Sequence, residues 1–158
     1  MKESNAGGTV SAALGRLGIR AVIMEGQAPE EEMSFLRIDE KGEATLIPAS
    51  DYKAMRTYGL VEEILETYGE KTSVLCIGPA GDYRLASASI QSSDIDGRPC
   101  RAAGRGGLGA VMGAKGLKTL IVDQRGQSPD PIADPEAFEA AAKVVAKTIK
   151  EDPMSGAG

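Results

Sequence analysis

The stretch 101–115 constrains the fold most, because it consists mainly of glycine, alanine and arginine. Glycine and alanine are too small to fill a hydrophobic core, and arginine is charged. Glycine lets the backbone approach a ligand closely and adopt positive φ, and the two arginines of this stretch supply fixed positive charge. The composition therefore predicts a surface that binds an anion, and the phosphate of a large cofactor fits it best.

An earlier segment repeats the order of residues found there. Residues 7–25 contain a glycine pair, a short helix of small residues, Gly18, a basic residue, an apolar stretch and an acidic residue. Residues 106–123 contain the same features in the same order, with Gly116 in the place of Gly18. This order predicts an internal duplication in which two glycine-rich corners face a shared centre. Two unrelated helix–strand units would also fit, because glycine commonly ends helices.

Length and composition limit the class of protein. The chain has 158 residues, 42% of them hydrophobic, which suits one globular core. Its formal net charge of -5 argues against a nucleic-acid-binding surface, which would need clustered lysine and arginine. No apolar stretch is long enough to cross a bilayer and no leader pattern precedes the first glycines, so we expect a cytoplasmic protein without membrane contact.

The chain has no histidine and two cysteines. The absence of histidine excludes a Ser-His or Cys-His nucleophile, and two cysteines are too few for a metal or iron–sulfur site built from cysteine alone. Cys76 lies in an apolar stretch and is predicted to be buried, whereas Cys100 lies beside Arg101 and is a candidate for a lowered pKa. We assign no catalytic residue and expect a bound cofactor, or residues outside this chain, to supply the chemistry.

The rest of the sequence alternates between predicted strands and helices. Apolar periodicity predicts a hairpin, an amphipathic helix, two further strands joined by a tight turn, and a last helix capped by Asp134. This last helix carries an apolar stripe that needs a partner surface. We expect residues 1–125 to form a partial N-terminal domain, and residues 126–158 to form a linker and the start of a following helical domain. The predicted bounds are 34–38 and 44–47 for the hairpin, 60–68 for the helix, 72–77 and 85–90 for the strands, 78–81 for the turn, 92–99 for a loop, 126–131 for the linker and 135–149 for the last helix.

Residues 104–109 match the pattern GxGxxG of dinucleotide-binding folds. That motif requires an apolar strand leading into the first glycine and a full helix after the last. Here a polar segment with Pro99 precedes the glycines, and Gly116 ends the following helix after a few residues. A dinucleotide-binding module stays an alternative, as does a non-catalytic interaction domain in which the glycines serve packing and the arginines are ordinary surface residues.

Four segments, residues 5–8, 18–26, 77–81 and 101–113, closely resemble the N-terminal domain of the aldehyde:ferredoxin oxidoreductase family. The similarity extends from about residue 4 to residue 123. It implies an α+β fold with duplicated glycine corner–helix–strand units, whose β-sheets form a base beneath a bis-pterin cofactor carrying tungsten or molybdenum. It also implies that the full protein oxidises small aldehydes to carboxylic acids and passes electrons through an iron–sulfur cluster to ferredoxin.

The resemblance further implies roles for individual residues. A Mg²⁺ ion bridging the two pterin phosphates would take oxygens from Asn5 and Ala102. Gly107 is expected where a Cβ would strain the backbone or enter the phosphate site. The cluster cysteines and further pterin motifs of the family are not in this sequence, so we expect the chain alone to be inactive; we also expect the full protein to be a homo-oligomer. The predicted pterin-lining residues are Asn5 and Gly7 for one half, and Arg101, Ala102, Gly104 and Arg105 for the other.

Overall fold

The computed structural model describes residues 1–29, 31–126 and 132–152. In those ranges the chain forms six strands, five α-helices and one 3₁₀ turn at Ser50–Tyr52. No helix in them is long and apolar enough to span a membrane. The strands are β1 (Ser34–Ile38), β2 (Ala44–Pro48), β3 (Thr72–Cys76), β4 (Ile90–Ser92), β5 (Arg101–Ala103) and β6 (Leu117–Asp123), and the helices are α1 (Val10–Arg16), α2 (Thr57–Tyr68), α3 (Pro79–Asp82), α4 (Leu108–Ala114) and α5 (Pro135–Glu151).

The strands form one mixed sheet in the order β2-β1-β6-β3-β4-β5. β1 and β6 run parallel, and the other neighbouring pairs are antiparallel. All seven residues of β6 are buried, as expected for a central strand. The predicted hairpin is confirmed as β1 and β2, with Phe35 opposite Ile47. The architecture is therefore α+β, as the sequence predicts.

The hydrophobic core lies on both faces of the sheet, because the side chains of a strand alternate between faces. On one face, α2 buries Leu60 and Ile64 against Val74 and Ile121. Fully burying one such leucine contributes about 1.5 to 3 kcal/mol, which fixes α2 on the sheet. On the other face, α1 and α4 pack against strand residues whose side chains point away from α2. This second cluster includes Val10, Ala13 and Met112 from the helices, and Leu36, Leu120 and Val122 from the strands.

The short helices α3 and α4 meet at glycine positions. A Cβ built on Gly113 would lie 2.0 Å from the carbonyl oxygen of Gly81, and one on Gly109 would lie 2.4 Å from the carbonyl oxygen of Ser89. Neither position has room for a side chain, so the close approach depends on bare backbone. These two glycines of the stretch 101–115 therefore serve packing.

The predicted internal duplication is not confirmed as a structural repeat. Both units have their short helix, and in both a glycine follows it at positive φ, 69° at Gly18 and 68° at Gly116. The second unit continues into β6, but residues 19–25 pair with no strand in the described ranges. Ile23 in this segment is 81% exposed. An apolar stretch becomes a strand only where a neighbour supplies hydrogen bonds, and none lies beside this one.

The region after β3 differs from the sequence prediction. The predicted turn 78–81 is the start of α3, and the predicted strand 85–90 is wrong in its bounds because β4 begins at Ile90. At the end of α3, the N–H of Leu85 donates to the carbonyl of Ala80 at 2.8 Å, as in a Schellman motif. This bond holds the chain in a turn, so the strand starts later.

α5 confirms the predicted last helix. The Asp134 carboxylate accepts a hydrogen bond from Ala137 N–H at 3.0 Å and caps the first turn. None of the residues of α5 is buried, and its apolar stripe, which includes Phe138 and Ile149, is exposed. Of the predicted linker and its continuation, residues 127–131 and 153–158 lie outside the described residues.

Candidate functional site

The predicted cofactor-binding residues lie on two segments of the surface. Two belong to the N-terminal segment before α1, two lie in β5, and two lie in the loop from β5 to α4. All six are exposed, as a ligand-binding surface requires. In that order they are Asn5 and Gly7, Arg101 and Ala102, and Gly104 and Arg105.

The fold brings these two segments together. The backbone N–H of Arg105 donates to Ser4 Oγ at 3.0 Å, across 101 positions of the sequence. Asn5, next to Ser4, donates from Nδ2 to Glu3 Oε1 at 3.3 Å. The N-terminal segment and the loop after β5 are therefore neighbours, which a ligand shared between them requires.

A network of hydroxyl groups anchors the N-terminal segment to the sheet. The backbone N–H of Thr9 donates to the Ser93 carbonyl at 2.9 Å, and the Thr9 hydroxyl lies 3.0 Å from Ser93 Oγ. Ser73 Oγ donates to Thr9 Oγ1 at 2.8 Å. Ser73 and Ser93 are fully buried and Thr9 is partly buried, so much of the network is shielded from water. The sequence does not predict this network, because its hydroxyl residues are far apart along the chain.

The glycines of the two segments differ in what a side chain would meet. A Cβ on Gly7 or on Gly104 would have nothing within 4 Å. Gly107 has a φ of +66°, and its Cβ would lie 2.0 Å from the carbonyl oxygen of Ala86. The expected backbone constraint at Gly107 is present, but the obstacle is the protein's own backbone. Gly7 and Gly104 therefore leave room for a ligand, and Gly107 serves packing.

The positive charge at this surface has no acidic partner in the part of the chain that the structure describes. Among the described residues, no carboxylate lies within ion-pair distance of Arg101 or Arg105. Both side chains belong to exposed residues beside the open backbone of Gly104. The arrangement can bind an anion through two guanidinium groups and nearby backbone amides.

The topology does not favour the dinucleotide-binding alternative. That fold needs a glycine-rich loop between a strand and a helix that crosses to a parallel neighbouring strand. Here β5 pairs only with β4, and the chain returns in β6, which β3 and β4 separate from β5. α4 has seven residues. Residues 104–109 therefore match the GxGxxG pattern in sequence but lack the fold that a dinucleotide-binding site requires.

The pKa of each of the two cysteines is raised, for different reasons. Cys76 is fully buried, as predicted, and burial raises its pKa to about 12. Cys100 is exposed and its Sγ donates to Asp94 Oδ2 at 3.1 Å. This hydrogen bond to Asp94 raises the pKa of Cys100, and the opposing effect of Arg101 is smaller. The expectation of a lowered pKa at Cys100 is wrong.

A buried ion pair joins α3 to the centre of the sheet. Lys118 Nζ donates to Asp82 Oδ2 at 2.6 Å, and both side chains are inaccessible to solvent. Lys118 is the extra residue of a β-bulge in β6, and its ammonium also donates to the Met55 carbonyl at 3.2 Å. Asp82 accepts from Ala54 N–H as well, at 2.9 Å. The sequence does not predict this pair, because its residues are 36 positions apart; the position of Lys118 inside an apolar strand indicates only that this lysine needs a buried partner.

Known proteins are similar to this chain in sequence and in fold. Residues 1–124 match the family model described as aldehyde ferredoxin oxidoreductase, N-terminal domain. The chain belongs to this family. The topology described above is therefore that of an aldehyde ferredoxin oxidoreductase N-terminal domain.

Individual relatives agree with this family. The tungsten-containing aldehyde ferredoxin oxidoreductase of Pyrococcus furiosus is 34% identical over 157 residues, and that of Pyrococcus abyssi is 34% identical over 161 residues. Each match covers 98% of this chain and 24% of the relative, so the chain spans about a quarter of their length. A solved structure, the active site complex BamBC of benzoyl coenzyme A reductase with 1,5-dienoyl-CoA, matches with a TM-score of 0.78 and 32% identity over 93% of this chain and 21% of that one.

Proposed function

We propose that this chain forms part of the cradle for a bis-pterin cofactor with tungsten or molybdenum, in an oxidoreductase that oxidises aldehydes and delivers electrons to ferredoxin. One observation carries the proposal: the hydrogen bond from Arg105 to Ser4 joins the two segments whose exposed glycines leave open space. Of the two metals, the tungsten-containing relatives support tungsten.

The residues of this surface suit such a cofactor. Phosphate groups need fixed positive charge and accessible backbone amides, and Arg101, Arg105 and Gly104 offer both. A Cβ at Gly7 or Gly104 would occupy the open space that a close ligand needs. Asn5 and Ala102 would supply oxygens to a Mg²⁺ ion between the two phosphates, since Mg²⁺ prefers oxygen ligands.

The chain's part in the reaction is to bind and orient. When bound, the cofactor supplies the redox chemistry that turns an aldehyde into a carboxylic acid. Arg101 and Arg105 would hold its phosphates, and the Thr9–Ser93 network would keep the N-terminal segment in place. We assign no proton transfer to this chain, which has no histidine.

The wider protein completes the proposal. We propose that residues 1–125 are a domain and that residues 126–158 lead into a following helical domain, against which the exposed stripe of α5 would pack. We propose that the iron–sulfur cluster, the contact with ferredoxin and the site for the aldehyde lie in parts of the whole protein outside this chain, which spans about a quarter of the relatives' length. A homo-oligomer is part of the same proposal.

The test is the cofactor content of the whole protein carrying Arg101→Gln and Arg105→Gln. We expect tungsten or molybdenum and pterin to fall at least about tenfold, because each arginine makes a charge-assisted contact. Arg98→Gln is the matched control, since Arg98 is exposed and pairs with Asp96 at 3.4 Å on a neighbouring loop. Unchanged cofactor content in the double variant would contradict the proposal.

The substrate needs its own experiment. Identity to the benzoyl coenzyme A reductase complex, 32%, is close to identity to the aldehyde enzymes, 34%, so this domain supports the cofactor class more strongly than the substrate. Aldehyde-dependent reduction of ferredoxin by the whole protein supports the aldehyde assignment. Turnover of a coenzyme A thioester without aldehyde turnover would contradict it.

A further inference from the structure

A cleft of about 450 Å³ opens beside Gly107, and all of its charged lining residues are basic. Lys2, Arg84 and Lys115 line it, and none of its lining residues is acidic. The whole chain has 23 acidic and 18 basic residues. A cleft lined by three basic residues and no acidic residue therefore differs from the charge balance of the chain as a whole. The rest of the lining is small or apolar, apart from the neutral Gln27.

The fold fixes the Lys115 ammonium and packs the aliphatic stem of Lys2 beside the cleft. Lys115 Nζ donates to the Gly26 carbonyl at 3.0 Å, which fixes the ammonium at one edge of the cleft. The side chain of Lys2 lies against Gly106, where a built Cβ would be 3.4 Å from the Cβ of Lys2. A glycine at 106 leaves room for this stem, and the contact brings the N-terminal segment to the cleft.

Arg84 occupies a backbone position that favours glycine. It follows α3 with a φ of 57°, and its N–H donates to the Gly81 carbonyl at 2.9 Å as part of the Schellman motif. Glycine is the usual residue there because it has no Cβ to strain. Arginine therefore adds a charge where the backbone alone would select glycine. Its charge also helps to lower the pKa of Glu31, after the larger effect of the Lys53 hydrogen bond.

We propose that this cleft binds the phosphate group of a small organic anion, at a site that neighbours the surface of Arg101 and Arg105 but does not include those two residues. Three cations from different segments can surround a multiply charged phosphate. The apolar wall from Ala110 to Ala114 would contact the body of the ligand. None of the six proposed cofactor residues lines the cleft, so this site does not depend on the proposed function.

Calorimetric titration of the protein with inorganic pyrophosphate at low ionic strength tests the site. We expect Arg84→Gln and Lys115→Gln each to weaken binding about tenfold, the scale of one charge-assisted contact. Gln27→Glu keeps the shape of the cleft and adds a negative charge, so it should weaken binding as well. Lys41→Gln, in the exposed turn between β1 and β2, is the matched control and should bind like the parent. Thermal melting of each variant shows that the fold is kept.

Three results would overturn the site. One is no pyrophosphate binding by the parent, and another is parent-like binding by Arg84→Gln, Lys115→Gln and Gln27→Glu. The third is loss of binding in Arg101→Gln with no loss in Arg84→Gln, which would place the anion on the cofactor surface. Cofactor content is measured separately and should stay at the parent level in Gln27→Glu, so failure of this site and failure of the proposed function give different results.

Discussion

Glycines have opposite roles in two regions of this domain: in one they allow close packing, and in the other they leave open space. At the packed region, where α3 and α4 meet over the buried Asp82–Lys118 pair, a Cβ on Gly113 would collide with backbone at 2.0 Å. At the open surface, formed by the N-terminal segment and the loop after β5, a Cβ on Gly104 would meet nothing within 4 Å. Both glycines come from one stretch of sequence. The composition therefore identifies the stretch, and the atoms around each Cα determine whether its glycine serves packing or leaves room for a ligand.

The largest effect is expected from the ion pair of the packed region. Lys118→Met leaves the Asp82 carboxylate buried without its partner and should lower the free energy of unfolding by about 3 to 5 kcal/mol. Urea denaturation measures it, with Lys71→Met at an exposed lysine as the control. Adding Asp82→Asn to Lys118→Met should recover part of the loss, because the remaining group is neutral. A change below about 1 kcal/mol for Lys118→Met would show that the pair does not hold the packed region.

Helix glycines give the next largest effect. Gly113→Ala should lower the free energy of unfolding by about 1 to 3 kcal/mol, since the methyl group cannot fit against Gly81. Gly15→Ala is the matched control: Gly15 is in α1, its Cβ would meet nothing within 4 Å, and alanine should stabilise the helix by about 0.5 to 1 kcal/mol. Chemical denaturation of both variants measures the difference. Equal effects would remove the distinction between packed and open glycines.

Local signals account for what the sequence predicted well. The hairpin, α2 and the Asp134 cap depend on neighbours a few residues away, and all three are confirmed. The Asp82–Lys118 pair joins residues 36 positions apart, so no local pattern contains it. Residues 19–25 have the apolar character of a strand, but strand formation depends on a partner that local sequence does not specify.

Only part of the candidate site could be predicted from the sequence. The resemblance implied the six residues that we propose for cofactor binding, and the order of glycines, helix and acidic residue suggested that two corners face one centre. The contact between Ser4 and Arg105 agrees with that idea without establishing a repeat. The prediction for Cys100 failed because it considered the adjacent arginine, whereas the turn after β4 brings Asp94 to the thiol. The basic cleft was not predictable, because its three cations come from distant parts of the chain.

A smaller effect, on the rate of alkylation, is expected at the two cysteines, one of which is buried and the other exposed. Asp94→Asn removes the carboxylate that raises the pKa of Cys100, so more thiolate is present at pH 8. Alkylation of Cys100 by iodoacetamide should then be about two- to tenfold faster, as followed by mass spectrometry. Cys76 serves as the internal control and should stay unmodified until the protein unfolds, because it is buried and its pKa is about 12. A slower reaction at Cys100 would contradict the assigned cause of its pKa shift.

The most direct measurement compares cofactor content and stability in the whole protein carrying Gly104→Val. The valine has room in the protein itself, so the free energy of unfolding without cofactor should change by no more than about 0.5 kcal/mol. The same side chain fills the space proposed for the ligand, so bound pterin and metal should fall several-fold. Gly113→Ala provides the reverse pattern, with a loss of stability before any loss of cofactor from the folded fraction. Cofactor content at the parent level in Gly104→Val would contradict the account of the open surface.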